Sequence, residues 1–469
     1  MKRRMQKTTT KTVGCPQEDR TESENNEGVQ IFMWISENSL VTVQPTLGNL
    51  LEWMMSPENL TKAIKQVRKN KGAGGVDGMD VEALLPYLQN HQDELIESIM
   101  EGTYRPNPVR RVEIPKDNGK KRQLGIPTVV DRVIQQAISQ VLTTIYDPKF
   151  SESSYGFRQH RSAHDAVRKV KELVTRGHKY SVDLDLEKFF DTVNHSKLLE
   201  VMSRTIKDGR VVSLISRYLN AGVMKGRKYE ESTKGVPQGG PLSPILSNIM
   251  LNELDEELER RGHEFVRYAD DRMILCGSKR GAERICESIT KYIECKLYLK
   301  VNREKTQTGK INKGIKYLGY QFHVKDGICR LGVHAKTQKK LKSKIKELTM
   351  RSNGVSFSKR KRSIKAYMRG WMEYYKETEL ISFMVRIDSW YRRRLRMCIW
   401  KSWKKPITRF RNLIKCGIKK SIARSCANAR QGFWRMAGGM VLHKAMSNEN
   451  LRKAGYPCLM DYYSLLHVE

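Results

Sequence analysis

The sequence predicts an α+β fold in which a body of sheet and helix is followed by a basic, all-helical part. Three observations carry that prediction. Ser181–Asp191 (SVDLDLEKFFD) alternates apolar and acidic residues, the period of a strand with one buried face. Arg111–Pro127 and Glu264–Cys276 each read as strand, turn, strand. From Lys336 onward apolar residues recur every three or four positions, the spacing of amphipathic helices.

The chain has 469 residues, enough for about two to four domains. Its 87 Lys and Arg against 51 Asp and Glu leave a formal charge of +36. A charge of this size favours a polyanionic partner and argues against an ordinary metabolic enzyme. It is unevenly placed. Residues 330–469 hold 34 of the basic side chains and only 8 of the acidic ones. A basic C-terminal part on a milder body suggests that one part grips nucleic acid while the other does something more specific. None of the nine cysteines forms a C-x-x-C pair, which argues against a zinc ribbon. Met1–Arg4 is not followed by an apolar stretch, and no run approaches the about 18 apolar residues of a membrane span. The expectation is a reduced, cytoplasmic protein with no membrane partner.

Taken in order, residues 1–45 are polar and read as a disordered tail. Ser56-Pro57-Glu58 is a helix start, and Leu60, Ile64 and Val67 follow at helical spacing. Gly72–Gly78 (GAGGVDG) lacks the Lys-Ser/Thr ending of a phosphate loop and reads as a tight turn. In the hairpin Arg111–Pro127, strands Val112–Pro115 and Arg122–Ile126 flank Asp117-Asn118-Gly119. Its tip carries Lys116, Lys120, Lys121 and Arg122, a basic flap suited to phosphates. Residues 128–175 read as mostly helical. In the C-terminal part, three helices are marked by Leu341/Ile345/Leu348, by Ile364/Met368/Trp371/Tyr375, and by Ile387/Tyr391/Leu395/Ile399. The third carries Arg392, Arg393, Arg394 and Arg396, a candidate RNA-binding face.

The acidic residues point to chemistry. Period two puts Val182, Leu184 and Leu186 on one face of a strand and Asp183 and Asp185 on the other. Asp270 and Asp271 sit between the strand-like Phe265–Arg267 and Met273–Cys276. Adjacent carboxylates flanked by apolar arms are electrostatically costly without a cation. Nucleotidyl transfer supplies one, because two Mg²⁺ ions ~3.5–4 Å apart clamp the attacking and leaving oxygens of an in-line displacement. Carboxylates from adjacent strands suit that ion, whereas the ten histidines show no ligand spacing. A third piece, Gly235–Asp255 (GVPQGGPLSPILSNIMLNELD), is a turn-rich entry into a helix from about Leu242. Its glycines let backbone approach a nucleotide, and Gln238 can donate and accept hydrogen bonds.

Asp185-Leu186-Glu187-Lys188-Phe189-Phe190-Asp191, Pro237-Gln238-Gly239 and Tyr268-Ala269-Asp270-Asp271 occur in the order and approximate spacing of reverse-transcriptase motifs. Ser154–Arg158 (SYGFR), and Arg105-Pro106 with Ile114-Pro115-Lys116, resemble upstream blocks of group II intron-encoded proteins. Arg369-Gly370-Trp371 and Tyr391–Arg396 resemble their maturase domain. Ala454–Pro457 and Asp461–Tyr463 are similar to endings of bacterial members. The resemblance spans roughly residues 47–463.

It implies a right-hand polymerase, with fingers and a palm of antiparallel sheet followed by a helical thumb or maturase domain. It implies that Asp185, Asp270 and Asp271 are catalytic and hold two Mg²⁺ ions, with Mn²⁺ as an alternative, and that the Leu186 carbonyl is a further ligand. It assigns Lys116 and Arg122 to the incoming triphosphate, Phe190 to the face of the deoxyribose, Gln238 to the nascent base pair and Lys305 to the pyrophosphate leaving group. Tyr317–Tyr320 resembles the strand element that supports the primer end. An RNA-copying RNA polymerase would carry Gly-Asp-Asp at the hairpin and a small or polar residue in place of Phe190. Some relatives end in an endonuclease with paired Cys and His ligands. No such cluster follows Trp400, so DNA cleavage is not expected.

The expected division is a tail (1–45), an N-terminal helical extension (46–110), fingers and palm (111–325), thumb or maturase domain (326–405) and a basic C-terminal region (406–469) that ends the maturase domain or binds DNA. The expected activity is RNA-directed DNA synthesis together with maturase activity. The expected partners are group II intron RNA, an RNA template with a DNA primer, dNTPs and target DNA. A splicing-only maturase and a stand-alone reverse transcriptase are the alternatives. Nothing in the sequence fixes an oligomeric state.

Overall fold

A computed structural model describes residues 48–115, 119 and 121–467. The segment expected to be a tail, Lys116, Lys120, and Asp117 and Asn118 of the expected turn lie outside the described residues. The strands in chain order are β1 (Val109–Pro115), β2 (Lys121–Ile126), β3 (Tyr180–Leu184), β4 (Val223–Lys225), β5 (Lys228–Glu230), β6 (Glu264–Tyr268), β7 (Asp271–Cys276), β8 (Gln307–Lys310), β9 (Ile315–Tyr317), β10 (Tyr320–Lys325) and β11 (Ile328–Val333). The chain divides into two units, residues up to 148 with 193–246, and residues 149–192 with 247 onward.

In the first unit, Pro57 opens the helix Pro57–Asn70 behind Ser56, as the start signal predicts, and its Leu60, Ala63, Ile64 and Val67 are buried. The helix Val129–Tyr146 is capped by Thr128, whose hydroxyl accepts the Asp131 N–H at 3.1 Å. Asn59 ties the two helices by donating to Ala137 O at 3.0 Å. The glycine-rich segment is a packing turn: Arg110 donates to Gly74 O at 2.7 Å, and a Cβ on Gly75 would overlap the Thr128 backbone. β1 and β2 form the expected hairpin, in register from Arg110↔Ile126 to Pro115↔Lys121. Its sheet continues in the order β2-β1-β4-β5, with β4 parallel to β1. The three-residue strands β4 and β5 had no readable period in the sequence.

In the second unit, the sheet β6-β7-β3-β8 is antiparallel throughout. Val182, Leu184 and Leu186 are buried while Asp183 is exposed and Asp185 half-buried, the alternation read from the sequence. The helix Ala163–Thr175 starts in a capping box of Ser162 and Asp165 and buries Ala166, Val167, Val170 and Leu173 in the core shared with Val266, Met273 and Leu275.

A second sheet, β11-β10-β9, follows. The boundary drawn at 325/326 passes through the turn of the β10–β11 hairpin, where Lys325 pairs with Ile328. The block 326–405 therefore begins with a strand. From Ala335 on, every regular element among the described residues is a helix. The three helices expected there are Ala335–Leu348, Phe357–Tyr374 and Ile381–Ser402, and their marker residues Leu341, Ile345, Ile364, Met368, Tyr391 and Leu395 are in the core. The fully buried Asp388 caps the helix Leu459–Leu466, accepting the N–H groups of Leu459 (3.0 Å) and Met460 (3.1 Å). No helix among the described residues is long and apolar enough to cross a membrane.

Candidate active site

The acidic residues converge at one end of the β6-β7-β3-β8 sheet. β3 runs antiparallel to β7 with Leu184 opposite Arg272, so Asp185, the next residue, leaves β3 beside Asp271 at the start of β7. Tyr268 pairs with Asp271, which leaves a turn of only two residues, Ala269 and Asp270. The strands thus extend further than the sequence indicated. Ala269 takes φ 57°, the left-handed conformation that a two-residue hairpin turn requires at its first position.

Asp271 is pushed up to about 6, first by loss of hydration within the protein and then by the charges of Asp270, Asp183 and Asp185. Asp183, whose side chain still reaches solvent, is raised to about 6 by desolvation and then by Asp185. Asp183 is the fourth acid of the cluster. Alternation put it on the right face, but no motif gave it a role. Lys305 opposes this charge, with Nζ 2.8 Å from Asp185 Oδ2 and 3.1 Å from Oδ1. Its loop is anchored on the same residue. Asn302 N–H donates to Asp185 O at 2.8 Å, and Asp185 N–H donates to Thr306 Oγ1 at 3.3 Å.

Leu186 forms an antiparallel bridge with Val301, flanked by hydrogen bonds from Glu187 N to Lys300 O and from Asn302 N to Asp185 O. In that pattern the bridged pair exchanges no hydrogen bond, so the Leu186 carbonyl points away from Val301. Three carboxylates and this carbonyl would offer a divalent cation only hard oxygens, the donor type such an ion takes. Among the described residues no three acidic, His or Cys side chains are gathered tightly enough to hold an ion as they stand. With Asp185 on Lys305, the mutual repulsion of the acids is what a cation would relieve.

Behind the turn lies a buried ion network. Arg267 and Arg272 are cross-strand partners on β6 and β7, and both end on Asp255 of the helix Ser243–Arg260. Arg267 Nε is 2.7 Å from Oδ2 and Arg272 Nη2 is 2.9 Å from Oδ1, with all three side chains at most 1 % exposed. Arg267 also donates to Ala269 O in the turn (3.2 Å) and to Asn248 Oδ1 (2.8 Å). Asn248 in turn donates to Gly156 O (3.0 Å). A Cβ on Gly156 would overlap the Ala269 nitrogen, so the SYGFR segment packs backbone-to-backbone against the acidic turn. Sequence reading missed this support. Nothing in the sequence around its three residues marked them, since Asp255 lies in the acidic run Glu253–Glu257 and Arg272 directly follows Asp271.

Phe190 is half-buried and meets the buried Phe189 edge-on, ring centroids 5.2 Å apart, just after Lys188 at φ 48°. Tyr317 OH donates to Val266 O at 3.2 Å, and Tyr374 OH donates to Leu318 O at 2.9 Å, which ties the Tyr317–Tyr320 turn to both β6 and the helix Phe357–Tyr374. Gln238 and Arg122 belong to the first unit. Gln238 O accepts the Gly125 N–H at 2.8 Å, which fastens the Pro-Gln-Gly turn to β2, and Arg122 is exposed on the same strand. Lys116 lies outside the described residues.

The four C-terminal arginines do not form one open face. Arg396 is 2 % exposed and donates to Met446 O at 2.9 Å, so it holds the core rather than RNA, because it shares a helix face with the buried Trp400. Arg394 donates to Thr349 Oγ1 (2.6 Å) and to the helix-end carbonyl Lys346 O. Arg393 lies 4.2 Å over the Trp434 ring. Arg392 reaches Cys458 Sγ at 3.4 Å. Half-buried, Arg392–Arg394 keep part of their surface toward solvent.

Residues 114–322 match the family model for reverse transcriptase (RNA-dependent DNA polymerase), and residues 338–417 match that for the group II intron maturase-specific domain. Protein YkfC of Escherichia coli is 34% identical over 334 residues, which cover 62% of this chain and 86% of that protein. The group II intron-encoded protein LtrA of Lactococcus lactis is 30% identical over 356 residues, covering 62% of this chain and 59% of LtrA. A chain of a partial Cas6-RT-Cas1--Cas2 complex aligns over 52% of this chain and 42% of its own, at 24% identity with a TM-score of 0.35. Reverse transcriptases depend on a divalent metal, and maturases of this kind bind intron RNA. With both domains matched and YkfC covered over most of its length, the chain belongs to the group II intron reverse transcriptase/maturase family, a family of RNA-directed DNA polymerases.

Proposed function

We propose that this chain copies RNA into DNA at the Asp185/Asp270/Asp271 cluster and binds its own group II intron RNA as a maturase, for splicing and for synthesis primed at target DNA. The observation that carries this reading is the strand register that gathers the three aspartates at one sheet end. Asp185, Asp270, Asp271 and the Leu186 carbonyl are the residues that would hold two Mg²⁺ ions, with Mn²⁺ as an alternative. When bound, such a pair would supply Lewis acidity toward the attacking and leaving oxygens.

The 3′-hydroxyl of a DNA primer, paired to an RNA template, gives its proton to solvent as its oxygen forms a bond to the α-phosphorus of a dNTP. The bond to the β-phosphate oxygen breaks and pyrophosphate departs. Lys116 and Arg122 hold the triphosphate, and Lys305 Nζ gives a proton to the leaving pyrophosphate. Phe190 lies under the sugar and excludes a 2′-hydroxyl, while Gln238 lines the new base pair. Residues 46–110 form the N-terminal extension, 111–325 the fingers and palm, and 326–405 the thumb or maturase domain. Residues 406–469 close the maturase domain or meet target DNA. On this reading the protein works with its nucleic acids in a bacterial cytosol and nucleoid. Arg392–Arg394 contribute to the intron-RNA face, where phosphate contacts supply affinity.

The test pairs two assays on the purified full chain: Mg²⁺-dependent extension of a DNA primer on RNA, and splicing of the intron RNA encoded around its gene. Both activities are expected. Splicing without extension would replace this reading with a splicing-only maturase, and extension without splicing with a stand-alone polymerase.

A further inference from the structure

Phe157 breaks two rules at once. Its backbone is at φ 58°, a region that a bulky side chain enters only at a cost, and the residue is 53 % exposed. Both neighbours are fixed. Gly156 is packed against the nitrogen of Ala269 in the acidic turn and accepts from Asn248. Arg158, 8 % exposed, spends its Nη1 on Ser151 O (2.6 Å) and Ser154 O (3.2 Å). Upstream, Tyr155 N–H donates to Arg267 O at 2.8 Å, and Arg267 N–H donates to Ser153 O at 2.9 Å. The segment is thus clamped to β6 on one side of Phe157 and to its own preceding loop on the other. The clamps hold the ring out of the core, in a conformation glycine would adopt more cheaply, one residue from the backbone that carries Asp270.

Backbone strain that rigid surroundings hold in place clusters at functional sites, and Phe157 leaves more than half of its surface to solvent. We propose that Phe157 packs against the primer–template duplex beside the reacting end, on the sugars of its shallow minor groove. This rests on the polymerase reading above and adds to it a positioning residue for the RNA–DNA hybrid. A hybrid with A-like geometry exposes a wide, shallow minor groove lined by sugars, which an apolar ring can cover without reading sequence. The narrower minor groove of B-form DNA offers that ring less surface.

The test uses the full chain and the variants Phe157→Gly and Phe157→Tyr. Binding is read by titrating a fluorescent RNA–DNA primer–template and an all-DNA duplex, and unfolding is read by thermal melting. Phe157→Gly should weaken hybrid binding by about 10-fold, with a smaller loss on the DNA duplex, while its melting temperature holds or rises as the strain is relieved. Phe157→Tyr should keep wild-type hybrid affinity. Equal hybrid affinity for wild type and Phe157→Gly overturns the contact, and a lower melting temperature in Phe157→Gly assigns Phe157 to folding instead. A wild-type chain that binds the hybrid but does not extend it fails the polymerase reading, and leaves the contact to be judged by the titration alone.

Discussion

Lys305 closes on Asp185, its ammonium within 3.1 Å of both carboxylate oxygens. This contact pairs one member of the acidic cluster and leaves Asp183, Asp270 and Asp271 to repel one another. On the proposed reading, a divalent cation held by Asp185 would compete with Lys305 for that carboxylate, and the lysine, 66 % exposed on its loop, would then be free to meet a leaving group.

Lys305→Ala should therefore change two quantities in opposite senses. Removing the competing ammonium lowers the Mg²⁺ concentration for half-maximal extension, while loss of the proton donor cuts the rate at saturating Mg²⁺ by about 100-fold. Extension rates across a Mg²⁺ series measure both. A half-saturation point that rises would mean that Lys305 organises the carboxylates rather than competes for them.

The raised acids also make a statement about stability. Asp271 is shifted from 3.8 to about 6, so between those values the folded chain binds more protons than the unfolded chain. Its contribution is favourable below about pH 4 and is lost as pH rises through about 6. Asp271 is exposed, so solvent screens much of this strain; in EDTA, Asp271→Asn should melt at most about 1 °C above wild type at pH 8, and the difference should vanish near pH 4. Melting curves at both pH values test the sign. A variant less stable at pH 8 would mean that Asp271 is held by an attraction rather than strained by its neighbours.

Asp255 holds two buried guanidiniums. Asp255→Ala leaves both without their carboxylate, and breaking a buried pair in this way costs about 3–5 kcal/mol. Urea titration should report a loss of that order. Replacing a surface acid such as Glu283, which meets Lys279 at 3.5 Å, should cost about 0–1 kcal/mol.

Phe190→Ala should raise incorporation of ribonucleotides relative to deoxyribonucleotides by about 10- to 100-fold, because the excluded volume at the sugar is removed. Competition between the two nucleotide classes at one template position measures it. Unchanged discrimination would move the steric gate elsewhere.

Much of the sheet that builds the site was legible, because a buried strand face prints period two on the sequence. Val182, Leu184 and Leu186 alternate with Asp183 and Asp185 as the structure does. Three-residue strands such as β4 carry no period, and the strand β11 was absorbed into the basic block because its pairing partner β10 lies before the charge boundary. The arginines were the hardest to read. Charge alone does not separate Arg396, inside the core beneath Met446, from Arg393, which covers Trp434. Nor does it separate either from Arg267 and Arg272, which are buried because Asp255 meets them there. Which partner a long cation finds is a tertiary fact, set by residues far along the chain.

The most direct test of the carboxylate cluster is primer extension on an RNA template by Asp270→Ala, with binding of the same primer–template measured in parallel. Extension should fall below detection while binding stays within about twofold of wild type. Extension at the wild-type rate would contradict the assignment of the β6–β7 turn as the place where DNA is made.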